Sequence, residues 1–166
     1  MKSALLTVSH LFKTSERMIA EILSHVDAKA LSFRPSDEMS SILRLYAHLS
    51  VQRHKLVHAI KGGHHDEKIP FADSASVFAK PTDKLPAKAE VDTAWAAITH
   101  RLHEAFQHLS VEQLDGPGRG KGVFPTDDET LLGTIAFIAH QEAYHIGQMS
   151  YLARMQGKLP EIGHLG

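Results

Sequence analysis

Four stretches of the chain, each roughly six turns of helix or longer at 3.6 residues per turn, repeat apolar side chains at intervals of three and four. That spacing restricts the fold more than any other property of the sequence. From Ser3 to about His25 the stripe is Leu5, Val8, Phe12, Ile19, Ile22 and Val26. A second helix, from about Met39 to Lys61, carries Ile42, Leu45, Leu49, Leu56 and Ile60 on one side and Leu43, Tyr46 and Val57 on nearly the opposite one. A third, from about Ala87 to Leu109, lines up Val91, Trp95, Ile98, Leu102 and Phe106, and a fourth runs from about Asp128 to Met155. Between the second and third, Gly62 to Pro86 has no sustained period and three prolines. So long an irregular connection has a purpose if those two helices run parallel, because the chain must then return along the whole bundle, about 30 Å. The expectation is an all-α single domain over residues 1–166: a four-helix bundle with a long helix 2–helix 3 crossover.

The termini of these segments fit the scheme. Phe33-Arg34-Pro35 holds the chain out of helical geometry before helix 2, with Ser36 and Asp37 offering capping oxygens. Gly62-Gly63 stops that helix. Thr126-Asp127-Asp128-Glu129 reads as a capping box for helix 4, closed by Gly157 and Pro160. The two apolar faces of helix 2 suggest burial on both sides and hence a homodimer interface.

Composition excludes several functions. Eighteen Lys and Arg against nineteen Asp and Glu leave a formal charge of −1, so there is no basic surplus for nucleic acid. With no cysteine, a metal could be held only by imidazole, carboxylate, amide or water. No run of about 18 apolar residues predicts a membrane span, and Met1 to Lys13 lacks a small-residue cleavage site, so cytoplasmic residence is expected. Thirteen histidines are unusual. Nine of them, at 10, 25, 54, 64, 65, 100, 103, 108 and 164, sit among polar neighbours or at ends and read as solvated.

Helix 4 carries the residues that packing alone does not explain. With His145 as origin and about 100° per residue, Leu131, Thr134, Ile138, Gln141, Gln148, Met149 and Leu152 fall within about 60° of it. Polar side chains on a buried stripe cost about 1–3 kcal/mol each unless bonded. His145, Gln141 and Gln148 together therefore indicate a polar pocket. Glu142 lies on the other flank of His145 and could also reach it, whereas His140, about 140° away, faces elsewhere. A second imidazole must come from another helix, and His48, beside Leu49 and near Leu45, is the best placed. His54 and His58, among Arg53, Lys55 and Lys61, read as wet. Tyr144 is expected to pack on a neighbouring helix, and Gly147 to admit the close approach of another backbone.

Ser41-Ile42 leading to Tyr46-Ala47-His48-Leu49, the upstream Phe33-Arg34-Pro35, and Glu142-Ala143-Tyr144-His145-Ile146-Gly147-Gln148 followed by Tyr151-Leu152-Ala153-Arg154 and Gly157 resemble the DinB-like (DinB/YfiT) four-helix-bundle proteins. The resemblance is specific in helix 4 and looser elsewhere. It implies a divalent metal, often zinc or nickel, held by one histidine of helix 2 and two spaced i, i+4 in helix 4. His48 matches the first position and His145 the last, while Gln141 stands where the remaining histidine would be. A carboxamide is a poorer zinc or nickel donor than imidazole, which leaves three alternatives open. The ion is held by His48, Gln141 and His145; Glu142 completes a two-histidine, one-carboxylate set; or the three residues hydrogen-bond one another without metal.

Two classes of function follow. The resemblance implies a metal-dependent enzyme acting through a low-molecular-weight thiol, as a transferase or isomerase, on an unspecified small molecule. Gly116-Pro117-Gly118-Arg119-Gly120-Lys121-Gly122 would then receive a substrate carboxylate or be a plain connector. The alternative is a non-catalytic dimeric bundle with a degraded metal site, binding a small ligand or a partner protein.

Overall fold

A computed structural model describes residues 2–62, 68–75, 84–118 and 127–158. Among the described residues six helices follow one another: α1 (Lys2–His25), α2 (Ala28–Ser32), α3 (Ile42–Ile60), α4 (Lys88–Gln107), α5 (Val111–Asp115) and α6 (Leu131–Arg154). Among the described residues there is no strand, only an isolated bridge between Pro117 and Thr130. The four expected helices are α1, α3, α4 and α6.

Their ends differ from expectation where a nearer cap wins. Ser41 Oγ accepts the Arg44 N–H at 3.3 Å, so α3 begins after Ser41 rather than at Met39. Thr130 Oγ1 accepts from Gly133 N at 3.0 Å and opens α6, while Asp128 takes the Thr130 N–H in the turn before it. Thr126 lies outside the described residues. The short helices α2 and α5 were not expected. Each is held by a local cap, Asp27 on Ala30 N in α2 and a reciprocal Ser110–Gln113 box in α5, rather than by a readable apolar period.

Side-chain pairs give the helix directions. Tyr46 lies on Trp95 and Arg53 bonds Thr99, so α3 and α4 run parallel. His48 meets His145 and Arg53 meets Glu142, so α3 and α6 are antiparallel. Phe12 meets Phe106 and Glu16 meets His103, so α1 and α4 are antiparallel too. The long crossover between α3 and α4 is thereby accounted for. In its described portion, Ala75 is fully buried, and the carbonyls of Ser74 and Ala75 accept from Arg44 Nη1 (3.2 Å) and His48 Nδ1 (3.0 Å) of α3.

The core forms two clusters along the bundle. One gathers Ile19, Ile22, Leu45, Leu49, Met149 and Leu152, and the other Phe12, Leu56, Ile98, Leu102, Ile135 and Ile138. Tyr46 and Val57, from the second apolar face of α3, are buried within this chain. The two-faced pattern therefore reflects a helix enclosed by its own bundle and gives no independent sign of a subunit interface. Among the described residues, no helix is long and apolar enough to cross a membrane.

Candidate metal centre

Where α3 and α6 cross, one polar layer is centred on a buried ion pair. Arg53 is fully buried, and its guanidinium grips Glu142 twice, Nε to Oε1 at 2.7 Å and Nη2 to Oε2 at 3.0 Å. Its Nη1 bonds Glu16 at 2.8 Å and Thr99 at 2.9 Å, and its Nη2 reaches the Phe12 carbonyl at 3.3 Å. The Trp95 ring lies 4.0 Å from the guanidinium carbon. Burial alone would pull the Arg53 pKa down, but the Glu142 and Glu16 carboxylates outweigh it and the net shift is upward. Glu16 in turn bonds His103 Nε2 at 2.9 Å.

This layer overturns several expectations. Glu142 is fully buried and committed to Arg53, so it is not available as a carboxylate ligand beside His145. His54, expected to be wet, is 5% exposed with Nδ1 on the Ser50 carbonyl, and His103 is only partly exposed in its bond to Glu16. Of the other histidines expected at the surface, 10, 25, 100 and 108 are exposed, and 64, 65 and 164 lie outside the described residues.

About 7 Å further along the same helix pair, five residues at 1.5 Å each, lies the histidine layer. His48 and His145 converge as expected, their ring centroids 5.0 Å apart and the planes at 77°. Each ring has its Nδ1 paired to an oxygen: His48 donates to the Ala75 carbonyl at 3.0 Å, and His145 to Gln148 Oε1 at 2.9 Å. That pairing selects the tautomer with a lone pair on Nε2. Burial, and secondarily the proximity of His145, pushes the His48 pKa down to about 4. Burial also lowers His145, against the opposing bond from Gln148. Both imidazoles are therefore neutral at pH 7.

A neutral imidazole whose Nδ1–H is held by a carbonyl is the form in which histidine ligates metals. The chemistry of the donor pair thus fits a divalent ion. A full protein ligand set is less evident: among the described residues no cluster of three His, Cys, Asp or Glu side chains is placed to hold one. Gln141 is partly buried and hydrogen-bonds neither imidazole, so the three residues do not form the self-contained network considered above. Instead Gln52, which the sequence reading passed over, donates Nε2 to His48 Nε2 at 3.0 Å. His140 is exposed, as its helical phase required.

His145 also lines a cleft of about 620 Å³ between α6 and the connector preceding α3. Leu45, Leu152, Met39, Tyr144 and Tyr151 make its wall mostly apolar. Among the described residues its lining includes one carboxylate, Glu38, and no lysine or arginine. Arg34 bonds the carbonyls of Asp37 and Met39 and so fixes the rim. Tyr144 is 57% exposed with its ring 5.2 Å from that of His145, rather than packed on another helix. A Cβ on Gly147 would meet no atom within 4 Å, so that glycine opens the cleft instead of admitting a neighbouring backbone. Of the glycine-rich stretch, the described residues 116–118 stand away from the cleft. Gly116 and Gly118 are bonded to Leu131 and Glu129 at the start of α6, about 21 Å of helix rise from His145, and Arg119 and Lys121 lie outside the described residues.

A family model described as the DinB superfamily matches residues 11–149, which bears out the resemblance read from the helix 2 and helix 4 motifs. No curated protein matches the chain.

Proposed function

The chain belongs to the DinB superfamily, and from that premise we propose that His48, Gln141 and His145 hold a divalent metal ion, zinc or nickel, in an enzyme acting through a low-molecular-weight thiol. The observation that carries this reading is the pair of neutral imidazoles 5.0 Å apart, each with Nδ1 committed to an oxygen and Nε2 left as a lone pair. A bound ion supplies Lewis acidity, lowering the pKa of a thiol or water in its open position. The chain does the rest. The Ala75 carbonyl and Gln148 hold both rings in the donating tautomer, and Met39, Tyr144 and Tyr151 keep water from an apolar substrate in the cleft. The reaction is a transfer to, or isomerisation of, a small molecule that this cleft admits. Residence in the cytoplasm belongs to the same proposal, because a reduced thiol cofactor requires a reducing compartment. So does assembly as a homodimer, for which the exposed Tyr144 and Tyr151 of α6 and Met155 at its C-cap supply apolar surface.

Elemental analysis of untagged protein tests the reading. About one equivalent of metal is expected, lost in His145→Ala and bound more tightly in Gln141→His. Less than about a tenth of an equivalent, with no uptake on titration, rejects it. A second reading is favoured by one observation, that Gln141 bonds neither imidazole: a non-catalytic dimeric bundle whose metal site has decayed and whose cleft binds a small ligand or a partner protein. Under that reading the same titration shows no uptake by wild type, while Gln141→His restores binding.

A further inference from the structure

Among the buried side-chain atoms that the fold does not otherwise explain is Oε1 of Gln52, which accepts no hydrogen bond among the described residues. Its companion Nε2 donates to His48 Nε2 at 3.0 Å, the nitrogen that the Ala75 carbonyl leaves as a lone pair. Gln52 is one turn beyond His48 on the same face of α3. The antiparallel register that sets His48 beside His145 also sets Gln52 across from Gln141. Two amides therefore stand one turn from the histidine pair, one per helix, and the one on α3 already touches an imidazole.

Turning the Gln52 amide by half a revolution exchanges its oxygen and nitrogen. Oε1 would then face His48 Nε2, two lone-pair atoms about 3 Å apart. They repel unless a cation lies between them. With metal–ligand bonds of about 2.0–2.2 Å, donor atoms on one tetrahedral ion are about 3.3–3.6 Å apart, so a separation only a few tenths of an ångström wider than the observed 3.0 Å would let both atoms share an ion. We propose that Gln52, rather than Gln141, supplies the third protein donor to a divalent cation held by His48 and His145, through Oε1 after the amide turns over. The proposal rests on the metal reading above and changes its ligand set. It also makes all three protein donors neutral, because Glu142 is bound to Arg53. Held by these neutral side chains, an ion would keep its full charge, and the site would favour an anionic ligand.

Titration of metal-free protein with Co2+, followed by its visible d–d absorption and by calorimetry, tests this without any activity assay. Wild type is expected to take up one Co2+. Gln52→Leu should weaken that binding at least about tenfold, and Gln52→Glu should tighten it and reduce the spectral change on adding azide. Gln141→Leu should stay within about threefold of wild type. Melting of each metal-free variant confirms that it folds. Equal Co2+ affinity in wild type and Gln52→Leu, or weakening by Gln141→Leu alone, overturns the assignment of Gln52 while leaving the metal reading intact. Wild type that binds no Co2+ overturns both.

Discussion

Two polar layers lie between the same two helices, α3 and α6, about one turn apart, and they solve opposite problems. In the ionic layer, Arg53 and Glu142 are each fully buried, and the guanidinium is saturated by two carboxylates, a hydroxyl, a carbonyl and an indole face. In the histidine layer both rings have been stripped of charge, one nitrogen of each is tied down, and His145 borders a cleft. Charge without access makes the first layer structural. Neutrality with access gives the second its chemical options. The same helix pair thus places a saturated site beside a receptive one.

The widest gap between the layers should appear on removing Arg53. Arg53→Met leaves Glu142 buried without a counterion and is expected to lower unfolding free energy by about 3–5 kcal/mol in urea titrations. Adding Glu142→Met should return much of that loss. A single variant within about 1 kcal/mol of wild type would erase the distinction between the layers.

Acid should act on the other layer. His48 is held at about 4 in the fold against about 6.5 unfolded, so between those values the unfolded chain binds the extra proton. Stability in the metal-free protein therefore falls as pH drops through this window, by about 2 kcal/mol from pH 7 to pH 5. His145, also lowered, adds in the same direction. His48→Asn should flatten the dependence. A pH profile unchanged by that substitution would show that His48 is not the group responsible.

The smallest effect is at Gly147, a helical glycine with open space around its missing Cβ. Gly147→Ala should stabilise the metal-free protein by about 0.5–1 kcal/mol, whereas Gly147→Trp should leave stability nearly unchanged and exclude ligands from the cleft. Destabilisation by alanine would mean that another chain covers this face.

Much of this was legible from side-chain periodicity. The four long helices, the parallel α3–α4 crossover and the meeting of His48 with His145 followed from the phase of apolar residues and from polar ones intruding on it. The ionic layer was missed because Arg53 stands among Lys55, His54 and His58 and so looked like part of a solvated run. A signal was nevertheless present. Arg53 fills the gap in the stripe Leu45, Leu49, Leu56, Ile60, as Glu142 fills the interval between Ile138 and Ile146. Opposite charges at core phase on two helices are a pairing rule that composition conceals. Ala75 could not have been found this way, since what holds His48 is a backbone carbonyl, which every residue possesses. Gln52 could have been, lying four residues after His48, but an amide beside two cationic neighbours draws no notice.

The double contact between Arg53 and Glu142 also sets the rotational phase of α6. Sliding that helix by one residue would turn it about 100° and shift it 1.5 Å. Apolar packing could partly absorb such a slip by repacking, but a two-pronged ionic grip in a dry interior has only one seating. The spacing of the imidazoles is therefore gauged by a lock that takes no part in their chemistry, and substitutions that loosen it should blur the ligand geometry long before they unfold the bundle.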